Sequence, residues 1–295
     1  MKIGKLVALL LAAVLVVAGC GSDDHRAAPV VVGSRLDSES TLLAAVYVAA
    51  LRSYGFAAQA AQTTADPISK LASGAFTVVP AFTGRTLQAL QPGTPVLSDK
   101  QVYRALVAAL PEGIAAGDYA TAAEDKPVVL VTGTTARAWG GSDTGADLSM
   151  LPKHCDGLVL GAVSGLQTPP SVGSCKLSAP REFPDDATMF AALRDARLTA
   201  AWATTADPGI PADLVALADG KPALIRAENV VPLYRRNALS DRALLAINEV
   251  AGVLDTAALA AMRRQLVVAA DGGGGGGADP QAVADAWLAE HPLGR

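Results

Sequence analysis

Between Pro29 and Gly84, short apolar runs alternate with helix-like segments, and each is closed by a turn signal. Pro29-Val30-Val31-Val32-Gly33-Ser34 reads as a buried strand entering a tight turn. Ser40 to Tyr54 follows as an amphipathic helix ended by Gly55. Phe56 to Gln62 is a second strand. Ile68 to Ala72 is a helix, opened by Asp66-Pro67 and stopped by Ser73-Gly74. Phe76 to Pro80 is a third strand, ahead of the Thr83-Gly84 turn. A strand–helix–strand–helix–strand order leaves few ways to bury every apolar face. It predicts an α/β sheet with parallel neighbours and helices laid against it.

The alternation resumes further on. Asp99 to Leu110 is a helix, and Pro127 to Val131 a short strand before Thr132-Gly133. Gly157 to Val163, Ala187 to Ala196 and Leu198 to Ala203 form a second strand–helix–strand group. Pro222 to Ile225 is a candidate returning strand. From Ser240 the pattern is helical: Arg242 to Ala251, Thr256 to Leu266 and Gln281 to Glu290, the last two separated by the tract Gly272–Gly277. That tract lacks the Lys-Ser/Thr of a phosphate-binding loop and reads as a flexible connector. We expect two α/β lobes, with the chain crossing twice. Residues 30–131 and 226–295 would build lobe one, and 132–225 lobe two. A ligand would sit in the cleft beyond the strands' carboxyl ends, and the lobes would hinge on it.

The first 19 residues have another purpose. Lys2 and Lys5 precede the apolar run Leu6 to Val17, which ends in Ala18-Gly19-Cys20. Basic start, apolar middle and small residues before a break make a secretory signal. The run is shorter than the roughly 20 residues that span a bilayer. The ending resembles the lipobox of bacterial lipoproteins, in which the cysteine is lipidated and becomes residue one. We therefore expect Cys20 to be lipidated, residues 20–29 to form a tether, and the body to lie on the extracytoplasmic face of the cell membrane. Without the signal, the 24 basic residues lose Lys2 and Lys5, leaving 22 against 28 acidic residues and a net charge of −6. That balance argues against nucleic acid as a partner. Cys155 and Cys175 remain, and outside the membrane such a pair is expected to form a disulfide. A metal site on His154, Cys155 and Cys175 is the weaker alternative, since two ligands are adjacent and no fourth is in view. No metal and no cofactor are expected.

Several segments in order resemble the osmoprotectant-binding proteins, the glycine betaine, carnitine and choline receptors of ABC importers. Val30 to Arg35 with Ser38-Glu39 resembles that family's Gly-Ser-Lys turn and Thr-Glu-Gln. Leu71 to Gly84, ending Pro80-Ala81-Phe82-Thr83-Gly84, resembles its Leu-Lys-Ser-Gly-Glu-Ile-Asp-Leu-Tyr-Pro-Glu-Tyr-Thr-Gly block. Trp202-Ala203-Thr204-Thr205-Ala206-Asp207 is similar to its Tyr-Ser-Thr-Asp turn, and Asn229-Val230-Val231-Pro232-Leu233-Tyr234-Arg235 to its Asn-Ala-Ala-Pro-Val-Val-Arg segment. Asp279 to Leu288 matches its last helix. The resemblance implies a two-lobed type II periplasmic-binding fold with an interlobe ligand cleft. It also implies an aromatic cage, because a quaternary ammonium cannot hydrogen-bond and is held by ring faces.

The departures bear on the ligand. The tyrosine of the family's Tyr-Thr-Gly-Thr turn is Phe82 here, and its second threonine is Arg85. The crossing-strand aromatic falls at Val128, the lobe-two tyrosine near Trp202, and the tyrosine before Asn229 becomes Glu228. At most two of four cage walls stay aromatic, each worth about 0.5–2 kcal/mol to a cation. The candidate ligand-binding residues are Ser34, Ser38, Phe82, Thr83, Arg85, Trp202, Thr204, Glu228 and Asn229. Ser34 and Ser38 also suit a capping role on the first helix. Phe82 and Trp202 read as cage or as core, Arg85 as ligand grip or as a solvated helix start, and Glu228 as pocket carboxylate or as exposed charge. Trp139 beside Gly140-Gly141 reads as a surface or hinge anchor.

Enzyme chemistry finds no footing. The histidines are His25, His154 and His291, none beside a nucleophile elbow, and no acid–base carboxylate pair stands out. The expected function is a lipid-anchored substrate-binding protein of an ABC importer that takes a small osmoprotectant-like solute, or another polar or aromatic solute given the eroded cage. Its partners would be that solute, a permease and the membrane through Cys20, and a monomer is expected. The competing reading is an envelope sensor or adhesion-type binding protein not coupled to transport.

Overall fold

The computed structural model describes residues 28–142, 145–271 and 278–294. The signal segment, Cys20 and the tract Gly272–Gly277 lie outside the described residues. In chain order, the first lobe is β1 (Val30–Ser34), α1 (Ser38–Ser53), β2 (Ala58–Gln62), α2 (Pro67–Ala72), β3 (Val78–Phe82), α3 (Thr83–Leu90), α4 (Asp99–Ala109) and β4 (Ile114–Ala116). The second comprises β5 (Pro127–Thr132), α5 (Gly133–Ala138), β6 (Ala146–Asp147), a 3₁₀ turn over Leu148–His154, β7 (Leu160–Val163), β8 (Ser171–Val172), β9 (Cys175–Lys176), β10 (Arg181–Phe183), α6 (Asp186–Arg194), β11 (Ala200–Thr204) and β12 (Leu214–Ala218). The chain then returns through β13 (Val230–Arg235), α7 (Asp241–Val253), α8 (Thr256–Asp271) and α9 (Pro280–Glu290).

Lobe one is a five-stranded sheet in the order β2-β1-β3-β13-β4. β1 pairs parallel to β2 and β3, and the returning β13 runs antiparallel to β3 and β4. Its central helix is α1, which is buried without interruption from Leu42 to Leu51. A helix apolar all round must be covered on every side. The sheet covers one side of α1, and α7, α8 and α9 cover the others. The α1 cap is Asp37, whose carboxylate accepts the Ser40 N–H at 2.8 Å. The serines expected to cap it do not: Ser38 is already the first helical residue and is exposed, and Ser34 ends β1. Gly33 is required where it stands, because a Cβ there would collide with the Phe76 ring.

Lobe two is a six-stranded sheet ordered β10-β7-β11-β5-β12-β6. β5 is antiparallel to both of its neighbours, β11 and β12. This corrects the expected boundary, since residues 127–131 belong with the second sheet and the crossing falls at Glu124–Lys126. No strand forms over Pro222 to Ile225, and the return is made by β13. Both faces of the sheet are covered. Val129 and Val131 of β5 and Ala200 and Trp202 of β11 face one cluster, which includes Trp139 and Leu148. Val128, Leu130, Ala201 and Ala203 face the other, against Met189 and Phe190 of α6. The strand period of two makes this division.

Cys155 and Cys175 form a disulfide, with Cα atoms 5.7 Å apart, tying the 3₁₀ turn to the β8–β9 hairpin. Among the described residues no single helix is long and apolar enough to cross a membrane.

Candidate functional site

The carboxyl ends of β1 and β3, the first turns of α1 and α3 and both crossings of the chain meet at one place. The crossings are pinned together. Asp125 N–H donates to Glu228 O at 2.9 Å, Lys126 Nζ lies 3.4 Å from Asp219 Oδ2, and Asp219 accepts the Leu224 and Ile225 N–H groups at 2.8 and 3.2 Å. From lobe two, the Thr205 hydroxyl donates to Glu124 O at 3.0 Å and accepts the Lys126 N–H at 3.2 Å.

Four charged side chains close a ring beside these pins. Asp125 Oδ2 accepts Arg85 Nη2 at 2.6 Å, and its Oδ1 accepts Arg263 Nη1 at 3.2 Å. Glu39 holds the same two arginines from the opposite side, Arg85 Nη1 at 3.0 Å and Arg263 Nη1 at 3.0 Å. Glu39 comes from the first turn of α1, Arg85 from that of α3, Asp125 from the first crossing and Arg263 from α8. Asp125 also reaches into lobe two, where its Oδ1 accepts the Ala206 N–H at 3.1 Å and the Thr204 hydroxyl donates to its carboxylate. Its side chain is only 2% exposed.

The two acids share two arginines unequally. Burial opposes charge on Asp125, but Arg263 and Arg85 outweigh it and hold the carboxyl below the usual range. Burial and the neighbouring Asp125 push Glu39 up to about 7, against the pull of Arg263 and Arg85. In lobe two, Asp186 at the start of α6 is pushed up to about 6 by burial, Asp207 and Asp185, with Arg263 opposing. Asp207 is raised as well, by burial first and also by Asp125, and Arg263 again opposes. Arg263 of lobe one is thus the cation that both lobe-two acids feel. The arrangement binds through charge and hydrogen bonds. Among the described residues no group of three or more His, Cys, Asp or Glu side chains is placed to hold a metal.

The sequence candidates fall into three groups. Phe82, Thr83, Arg85, Thr204, Glu228 and Asn229 do come together at the crossing. Phe82 is buried, and the Arg85 guanidinium lies 4.3 Å from its ring centroid. Thr83 and Asn229 act as pins: Thr83 N–H donates to Asn229 O at 2.9 Å, and Asn229 N–H to the Thr83 hydroxyl at 3.0 Å. Asn229 Nδ2 adds a bond to Ala120 O at 3.0 Å, while its Oδ1 is buried without a partner. Ser34 is buried with its hydroxyl unpartnered, and Ser38 is exposed on α1. Trp202 is different. At 1% exposure it packs in the lobe-two core, so the structure assigns it to packing and not to a cage wall. Trp139 is no surface anchor either, being buried in the same core and stacked on His154 with ring centroids 4.9 Å apart.

Glu228 is buried and not an exposed charge. Helix α3 has no side-chain cap of its own, because Phe82 occupies the capping position. Glu228 supplies one from outside, accepting the Arg85 N–H at 2.8 Å and the Gly84 N–H. Gly84 makes room for it: a Cβ there would lie 2.6 Å from Glu228 Oε1 and 2.5 Å from Ala227 O. Burial pushes Glu228 from 4.5 up to about 7, against Arg85 and the two N–H groups. An acid with a higher pKa folded than unfolded holds its proton more tightly in the fold. Its stabilising contribution is complete below pH 4.5 and is lost as pH rises toward 7. Glu228→Gln should therefore gain in melting temperature relative to the native chain between pH 5 and pH 8. Parallel melting shifts at the two pH values would contradict the buried, proton-holding role.

Sequence reasoning passed over Asp125, Arg263, Asp186 and Asp207 as site residues, and quoted Glu39 only within a motif. Glu124-Asp125-Lys126, a charged triplet ahead of a buried strand, was the available signal. Arg263 had none, since its neighbour Arg264 is solvent-exposed and looks identical in sequence. A cavity of about 640 Å³ opens elsewhere on lobe one, among Tyr103, Val107, Tyr234 and Leu244. It shares no residue with the ring, so the charges and not the cavity mark the site.

Two α/β lobes, joined by two crossing segments with a charged site between them, define a binding protein of the periplasmic receptor class. A family model, the substrate-binding domain of ABC-type glycine betaine transport systems, matches residues 28–290, and the chain belongs to that family. It is a family of transport receptors and not of enzymes. The fold is similar to a glycine betaine/carnitine/choline ABC transporter structure (TM-score 0.69, 18% identity, covering 89% of this chain and 98% of that one). It is also similar to apo YehZ from Escherichia coli (0.65, 19%, 90% and 99%). An ABC-transporter choline-binding protein in complex with choline is more distant (0.52, 14%, 90% and 89%). At these identities the likeness speaks to the fold alone. No curated protein matches the chain.

Proposed function

We propose that this chain is the lipid-anchored, extracytoplasmic receptor of an ABC importer, which captures a small polar solute of the osmoprotectant kind between its lobes and presents it to a permease. The observation that carries the reading is the meeting of Glu39, Arg85, Asp125 and Arg263 at the crossing, where Asp125 touches both lobes. A solute that engages those groups alters the contacts on which the relative setting of the lobes depends, which is how binding becomes closure. Ala18-Gly19-Cys20 supports the anchor.

Two measurements test it. Thermal melting against betaines, choline, carnitine, polyols, sugars and aromatic acids should find a stabilising solute. A concentration of 100 times Kd gives about 2.7 kcal/mol, and a flat response across the panel sinks the receptor reading. Cys20→Ser should move the full chain from the membrane fraction to the soluble one. Unchanged membrane association would rule out the lipid anchor.

A further inference from the structure

A cation held at this site needs two things, a ring face and negative charge close to it. The chain has both, in Phe82 and in the Glu39 and Asp125 carboxylates, and both are already taken. The Arg85 guanidinium lies 4.3 Å from the Phe82 centroid. Its Nη1 is 3.0 Å from Glu39, and its Nη2 is 2.6 Å from Asp125 Oδ2 and 2.7 Å from the Asp125 carbonyl. The backbone of the same residue is anchored on Glu228 at 2.8 Å, so the side chain starts from a fixed point. We propose that Arg85 is a resident cation, occupying the seat that a quaternary ammonium would need, and that it sets the specificity of the site against such solutes.

The chemistry makes the occupation permanent. A guanidinium stays protonated at every accessible pH, so the seat cannot be vacated by deprotonation. A quaternary ammonium has no donors and offers only charge and cation–π contact. It cannot replace the three hydrogen bonds that hold Arg85. Removing the side chain inverts the situation. Glu39 and Asp125 would be left with Arg263 as their one ring partner, two acids to one cation, beside an uncovered ring. Such a gap suits a small cation.

The inference rests on the receptor reading only for placing a solute between the lobes, and its test can be read independently. Melting and calorimetric titration of the native chain, Arg85→Ala, Arg85→Lys and Phe82→Ala/Arg85→Ala are compared with choline, tetramethylammonium and guanidinium, using sodium chloride as the ionic-strength control. Arg85→Ala should bind choline and tetramethylammonium at least tenfold more tightly than the native chain, and Arg85→Lys should stay unresponsive. The double variant should lose the quaternary ammonium response yet keep the guanidinium one, which needs only the carboxylates. Where Arg85→Ala does not fold alone, its refolding yield with and without choline gives the same answer, and no recovery overturns the proposal. Choline binding by the native chain that Phe82→Ala abolishes also overturns it, as does an Arg85→Ala variant indifferent to all three cations. A native chain flat to every solute beside a responsive Arg85→Ala sinks the receptor reading alone. A native chain that takes a neutral solute beside an indifferent Arg85→Ala sinks this inference alone.

Discussion

Replacing Asp125 with alanine should cost the fold about 3 kcal/mol, read as a fall in the urea midpoint at an unchanged slope. Its carboxylate is 2% exposed and does three tasks at once: it pairs Arg85, pairs Arg263, and accepts an N–H from lobe two. Removing one member of a buried ion pair leaves the other charges uncompensated, which typically costs about 3–5 kcal/mol. The lower end applies here because Arg85 is 42% exposed and its outer edge is screened by water. Glu39 remains as a partner for both arginines, while the Ala206 N–H loses the acceptor it has in Asp125. Asp125→Asn keeps an acceptor for that N–H while removing the charge, so it should lose less. A loss below about 1 kcal/mol for Asp125→Ala would mean that the ring behaves as a set of surface ion pairs.

Trp202→Ala should be comparably damaging, at about 3–5 kcal/mol, for a different reason. The ring is the largest fully buried side chain of the protein, wedged in the lobe-two core that also holds Trp139, Leu148 and Leu151. Truncation leaves a cavity that a sheet packed on both faces cannot collapse to fill. Trp202→Phe keeps an aromatic face and much of the volume, and should cost less. The pair separates packing from ligand contact: Trp202→Phe should keep whatever solute response the native chain has. A variant with native melting temperature and no solute response would return Trp202 to the binding site.

How much of this could be read from the chain depended on range. The order β1–α1–β2–α2–β3 was legible because each signal is local. Val30 to Val32 run into Gly33-Ser34, Asp66-Pro67 opens α2, and Ser73-Gly74 closes it. The Thr83-Gly84 turn was legible too, but not as the start of α3, whose cap is supplied by Glu228, 143 residues away from Arg85. The short β4 was missed because Ile114 to Ala116 is too brief to establish a period.

The sequence by itself determined the α/β class, the pairing of Cys155 with Cys175 and the family, because turn chemistry, strand period and the order of motifs are written in consecutive residues. Only the tertiary structure decided which side chains form the site. Glu39, Arg85, Asp125 and Arg263 lie on four separate elements, and nothing in the flanks of each says that it will meet the others. Phe82 and Trp202 looked equivalent as aromatics at strand ends. Strand β11 turned Trp202 into a core covered on both faces, while Phe82, the last residue of β3 beside the crossing, received Arg85. Electrostatic partnership depends on distance through space and on burial, and both are properties of the packed lobes.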